Sequence, residues 1–321
     1  MNRPPDRTPR PRTEAASLLD AGPALATTAA ALPLRHLLLA LAVVAVWGTN
    51  FVVIKWTLIT LPPLLLGALR FALAFAPAAL FVRRPAVAWR TLAAYGLLIG
   101  AGQFGLLFIA MRADITPGLA SLVIQTQVFF TIGLAMALAG ERVRGFQVVA
   151  LVLAAAGLVL IVAHTDASTT PLGLALVLLA ALSWAAGNLV AKRAGRVDML
   201  GFMVWSSLFA VPPLALLALV LEGPQAIALG LAASGPGVWA AVLWQSIGNT
   251  LFGYGTWAWL LARYPAVTIT PLALLVPVFG IGASAWWLAE ALPAWKLGAA
   301  ALVLAGLSLN LLWPRAAAWL R

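Results

Sequence analysis

Apolar residues fill this chain in long runs, and the polar residues gather in short gaps between them. A bilayer core needs about 20 apolar residues wound as helix. Runs of that length occupy 37–57, 62–82, 91–111, 118–139, 146–164, 172–191, 201–221, 237–261, 267–289 and 297–313. Breakers and charges separate them: Pro62-Pro63, Arg83-Arg84-Pro85, Thr116-Pro117, Gly140 to Gly145 and Asp166 to Pro171. Helices apolar on every face belong in lipid, whereas surface helices keep a polar face. Stretch 225–233 is apolar but too short to cross, and reads as an interfacial or re-entrant piece. The pattern predicts an all-α membrane protein of ten transmembrane helices.

The pattern is also written twice. Trp47 and Lys55 in VWGTNFVVIK stand eight residues apart, as do Trp184 and Lys192 in SWAAGNLVAK. Glu141 in GERVRGFQVVALVLAAAGL aligns with Glu290 in AEALPAWKLGAAALVLAGL, and Gly157 with Gly306, both at an offset of 149. Copies of 35–164 and 171–313, with five spans each, place the second copy upside down in the bilayer. Inverted repeats of this kind let secondary transporters open alternately around one midplane site. The expected fold is therefore two inverted five-helix repeats.

Composition narrows the class. Hydrophobic residues make up 63% of the 321 and charged ones 9%, which excludes a soluble globule. The chain has no cysteine, so disulfide and thiolate chemistry are out. A net charge of +11 invites a nucleic-acid partner, but its placement argues against one. With the N-terminus inside, the cytoplasmic set is Arg3, Arg7, Arg10, Arg12, Arg35, Arg83, Arg84, Arg90, Arg142, Arg144, Lys192, Arg193, Arg196, Arg263, Arg315 and Arg321. That is sixteen of the 20 basic residues; Arg112 and Lys296 fall outside, and Lys55 and Arg70 lie within spans. This asymmetry orients the chain in the membrane with both termini cytoplasmic. Residues 1–34, rich in Pro, Arg, Thr and Ala, read as a disordered cytoplasmic tail, and 314–321 as a cytoplasmic tail.

VVAVWGTNFVVIKWTL, PPLLLGALRF and GLASLVIQTQVFFTIGLA, with GER closing the fourth span, resemble the EamA-type transporters of the drug/metabolite transporter superfamily. ALSWAAGNLVAKR, GYGTWAWLLARYPAVTITPLALLVPVFG and GAAALVLAGLSLNLL continue the likeness in the second copy, over roughly 37–313. Within the superfamily the wording is most similar to bacterial exporters of amino-acid metabolites. That resemblance implies a two-copy, ten-span inner-membrane fold with a central cavity. It also implies efflux of cysteine-pathway compounds such as O-acetylserine, or of related amino acids. Drugs, nucleosides or sugars are the alternative cargo of the same fold, and a lipid-modifying membrane enzyme is the alternative class.

Polar groups inside spans are the candidates for function. Arg70 lies eight residues past position 62, about 12 Å deep at helical rise. It can hold a substrate carboxylate by paired hydrogen bonds, or snorkel and bind a neighbour's carbonyls. Asn50, Gln103, Gln127, Asn188 and Asn249 add amides, which can both donate to a carboxylate and accept from an ammonium group. Trp47, Trp184 and Tyr254 supply aromatic walls beside them, and these nine residues are the expected substrate site. Gln125 and Gln127 cannot share one helix face, so at most one lines the cavity. Pro271 and Pro277 interrupt the ninth span and are the expected hinge. No H-E-x-x-H, G-x-S-x-G or phosphate loop occurs, so no metal, cofactor or catalytic residue is expected.

Overall fold

The computed structural model describes residues 32–139, 144–195, 197–264 and 266–319. Most of the expected N-terminal tail, and Glu141, lie outside the described residues. The described residues are helical almost throughout: α1 (Leu34–Thr57), α2 (Pro63–Leu80), α3 (Trp89–Ala113), α4 (Pro117–Leu138), α5 (Gly145–Val162), α6 (Pro171–Ala194) and α7 (Met199–Leu217) come first. Then follow α8 (Pro236–Leu243, Trp244–Phe252 and Gly253–Arg263 in sequence), α9 (Thr270–Leu288) and α10 (Ala294–Trp313). Among the described residues nine helices are long and apolar enough to cross a bilayer, and α8 is not one of them. Its middle holds the buried polar residues Gln245, Ser246, Asn249 and Thr250, which dilute its apolar character. The short apolar stretch after α7 forms a helix, Pro224–Ala232, whose Gly230 lies against the turn at Thr60 and Pro62.

Local chemistry starts and stops the helices where the breakers stood. Pro63, Pro117 and Pro171 open α2, α4 and α6, where a missing N–H costs nothing. Asp198 accepts from the N–H groups of Leu200 and Gly201 at the start of α7. Other caps are delivered from distant parts of the chain. Glu222 accepts from the N–H groups of Leu64 (2.6 Å) and Leu65 (3.1 Å). Lys55 donates to the last carbonyls of α3, at Met111 and Arg112, both at 2.9 Å.

These contacts sort the connections into two ends. The turns after α1, α3, α5, α7 and α9 share one end, joined through Glu222 to Leu64, Lys55 to Arg112, Thr170 to Asp114 and Glu290 to Thr116. At the other end Trp205 of α7 donates to the carbonyl of Val82, and His36 lies edge-on to Trp259. α8 runs from one end, where Gly237 faces Trp56, to the other. Successive helices thus alternate direction, and the second copy starts at the end where the first one stops.

Helix pairing follows the same exchange. α2 packs on α7 and α5 on α10, each against its own repeat mate. α1 packs on α9 as its mate α6 packs on α4, and α3 packs on α6 as α8 packs on α1. In lipid such contacts rest on close packing and polar bonds, not on expulsion of water.

Candidate substrate cavity

A cavity of about 70 Å³ opens between the copies. α1 contributes Trp47, Asn50, Phe51 and Ile54; α3 contributes Gln103, Phe104 and Leu107; α4 contributes Ile124 and Gln125. The second copy closes it with Trp184 of α6, Asn249 and Tyr254 of α8, and Val276 of α9. Its walls are aromatic and its polar groups are amides plus one phenol, with no carboxylate among them. Pockets that hold small ligands span a few hundred Å³. This one is narrow, and a ligand of that size needs its walls to part.

Asn249 is the junction of the site. Its backbone carbonyl accepts from Trp47 Nε1 at 3.1 Å, and its side-chain oxygen accepts from Arg70 Nη2 at 2.8 Å. Trp47 also packs on Tyr254, ring centres 5.5 Å apart. Arg70 does not line the cavity but lies directly behind it, 1% exposed. The Phe104 ring covers its guanidinium at 3.9 Å, and Thr250 accepts a longer bond from Nη2 at 3.3 Å. Arg70 Nε and Nη1 are buried and find no hydrogen-bond partner, and neither do Asn50 Oδ1 and Gln103 Oε1. Buried polar atoms are seldom left so, because each costs its lost hydration.

The sequence-predicted residues thus separate into groups. Trp47, Asn50, Gln103, Trp184, Asn249 and Tyr254 surround one cavity, with Arg70 behind the wall. Gln127 and Asn188 bond to each other, Asn188 Nδ2 donating to Gln127 Oε1 at 2.9 Å, and do not line it. Gln125 lines it in their place. The reason is local: Ile124–Thr126 form a 3₁₀ turn, which overwinds α4 and changes the face that each following residue presents. Pro271 lies in a 3₁₀ run, Thr270–Leu275, and Pro277 in the first turn of the α-helical part of α9. Among the described residues no group of three or more His, Cys, Asp or Glu could hold a metal ion.

The EamA-like transporter family model matches residues 34–163 and again 171–312. The chain belongs to the EamA-like transporter family. It is 42% identical over 278 residues to a probable amino-acid metabolite efflux pump of Salmonella typhimurium (strain LT2), covering 85% of this chain and 93% of that one. A probable amino-acid metabolite efflux pump of Escherichia coli (strain K12) is 39% identical over 287 residues, covering 87% and 96%. Among solved structures, a crystal structure of a protein 21% identical shares the fold, with a TM-score of 0.59 over 88% of this chain and 98% of that one. This EamA-like chain is thus a multi-pass membrane protein.

A second polar cluster lies away from the cavity, at the end of α9. Glu290 accepts from Thr116 Oγ1 (2.5 Å), the Gly118 N–H (3.0 Å), Ser284 Oγ and Lys296 Nζ (2.9 Å). Burial pushes its carboxyl up, but these four donors outweigh burial and hold it below the usual glutamate range. Glu290 is the acceptor that α4 lacks at its own N-terminus. It shares no wall with the cavity.

Proposed function

We propose that this protein exports small amino-acid-type metabolites across a bacterial inner membrane by alternating access, both termini cytoplasmic. The observation that carries the reading is a cavity built from both copies, with an incompletely bonded arginine behind its wall. The aromatic faces and amides suit an ammonium group, and Arg70 suits a carboxylate. The probable amino-acid metabolite efflux pumps at 39–42% identity support amino-acid metabolites as cargo, and O-acetylserine and cysteine are the first to test because the family resemblance implies them. The sixteen-to-two division of basic residues supports the orientation.

The test uses purified protein in sealed vesicles, loaded with O-acetyl-L-serine, L-cysteine or their methyl esters, with and without a proton gradient. The free acids are expected to exchange and the esters to fail. Equal flux of acids and esters removes the carboxylate from the reading. Flux of nucleosides or sugars in place of amino acids replaces the cargo class.

A further inference from the structure

The two copies share an uncommon backbone feature. Leu97–Gly105 of α3 and Trp244–Phe252 of α8 are both π-helical, nine residues each, in helices that are repeat mates. π-helix accounts for well under about 1% of residues in globular proteins and concentrates at functional sites. Here it recurs at matching places in both copies, and each segment supplies cavity wall: Gln103 and Phe104 from one, Asn249 from the other.

Arg70 joins the two segments. Its guanidinium lies under Phe104 of the first and donates to Asn249 and Thr250 of the second. Ser246, also of the second segment, donates to the Arg70 backbone carbonyl at 3.0 Å. Two of its three guanidinium nitrogens remain without a partner. Phe104 and Asn249 both touch the guanidinium and both face the cavity, so a single layer of side chain separates this cation from cargo.

We propose that Arg70 clamps the two π-helical segments together, and that a cargo carboxylate opens the cavity by taking the guanidinium from Phe104 and Asn249. This rests on the amino-acid reading above. A carboxylate can accept two parallel N–H bonds from the fork, a stronger pairing than one amide oxygen and one ring face. The unfilled donors make the exchange favourable, since the cation goes from under-bonded to bonded. Once freed, each segment can shift its extra residue along the helix, because a π-helix differs from an α-helix by one residue of slack. Binding is thereby converted into movement of α3 and α8, one in each copy.

Leu97 and Ile247 lie in the two segments and are 47% and 49% exposed, away from the clamp. Leu97→Cys with Ile247→Cys gives a specific spin-label pair, since the chain has no other cysteine. Distances are read by pulsed electron spin resonance in vesicles, with O-acetyl-L-serine, its methyl ester, or acetate. The free acid is expected to shift the distance distribution and the ester to leave it unmoved. Phe104→Leu and Thr250→Val, each keeping Arg70, are expected to shift it without cargo and to slow transport about tenfold, the order of one cation–π contact or one bond to a charged group. Two mild variants from opposite segments guard against a folding failure, checked by elution and thermal melting. Identical distances and flux in both folded variants overturn the clamp, as does an equal shift by acid and ester, while transport itself still stands. If the unmodified protein carries no amino acid, the functional reading fails separately. The clamp is then judged by acetate, and an unmoved distribution overturns it.

Discussion

Gly157 of α5 and Gly306 of α10 face each other's helices reciprocally. A methyl group on Gly157 would stand 3.0 Å from the carbonyl oxygen of Ala299, and one on Gly306 would stand 2.5 Å from that of Ala150. Each partner lies seven residues before the other glycine, so the contact is unchanged when the copies are exchanged. With no hydrophobic drive between helices in lipid, this backbone approach holds α5 to α10.

Alanine at either position forces the two backbones apart. Gly306→Ala is expected to cost about 1–3 kcal/mol, the usual range for overpacking, and Gly157→Ala somewhat less because Val303 can yield. Thermal melting in detergent checks both. Melting temperatures equal to the wild type would mean that α5 and α10 are not packed as described.

Glu290 gives a pH-dependent prediction. Its carboxyl is held below the ordinary value near about 4.3, so the folded state favours the charged form. Its contribution to stability is present above that value and is lost as pH falls through the lowered folded-state value. Melting temperature should therefore drop in acid below about pH 4. Glu290→Gln should remove this part of the dependence and leave Lys296 buried without its charge partner. Breaking a buried pair costs about 3–5 kcal/mol, while cargo affinity should be unchanged because Glu290 is remote from the cavity. A variant that melts normally but loses flux would place Glu290 in transport instead.

The amides divide by location. Asn50→Leu and Gln103→Leu alter cavity walls whose oxygens lack partners, and should lower flux several-fold with little loss of stability. Asn188→Leu breaks the bond to Gln127, worth about 0.6–2 kcal/mol between membrane helices, and should lower melting temperature more than cargo affinity. Melting curves and flux measured on the same vesicle preparations separate the two patterns. Reversal of the pattern would move the site towards α4 and α6.

Much of the fold was legible because burial in lipid is written residue by residue. The run 172–191 became Pro171–Ala194, and 146–164 became Gly145–Val162. Six of the expected cavity residues lie together for a related reason: amides and aromatics inside spans have few places to go. What was hidden depends on winding and on distant partners. The choice between Gln125 and Gln127 turned on one 3₁₀ turn, which the α-helical period cannot reveal. The π-helical segments carry no local sequence signature. The capping of α4 by Glu290, 172 residues beyond Gly118, exists only once the chain is folded.

Arg70 carries the sharpest prediction. It is 1% exposed, with one nitrogen bonded to Asn249 and Thr250 and two unpartnered. Ser207 stands at the matching place in the second copy, where it is buried and bonded to the carbonyl of Met203 within its own helix. The copies therefore share the helix contact between α2 and α7 but not the charge. A cation that the packing symmetry does not require, left under-bonded beside a cavity, supports the proposal that the cargo carries an anionic group. Arg70→Lys keeps the charge but loses the planar fork, so flux of free acids should fall at least about tenfold. Arg70→Gln should fold, since it removes an under-bonded buried charge, and should transport free acids no better than their methyl esters. Counterflow with matched acid and ester pairs measures the ratio directly. An acid-to-ester ratio in Arg70→Gln equal to that of the wild type would leave Arg70 a structural residue and return carboxylate recognition to the amides.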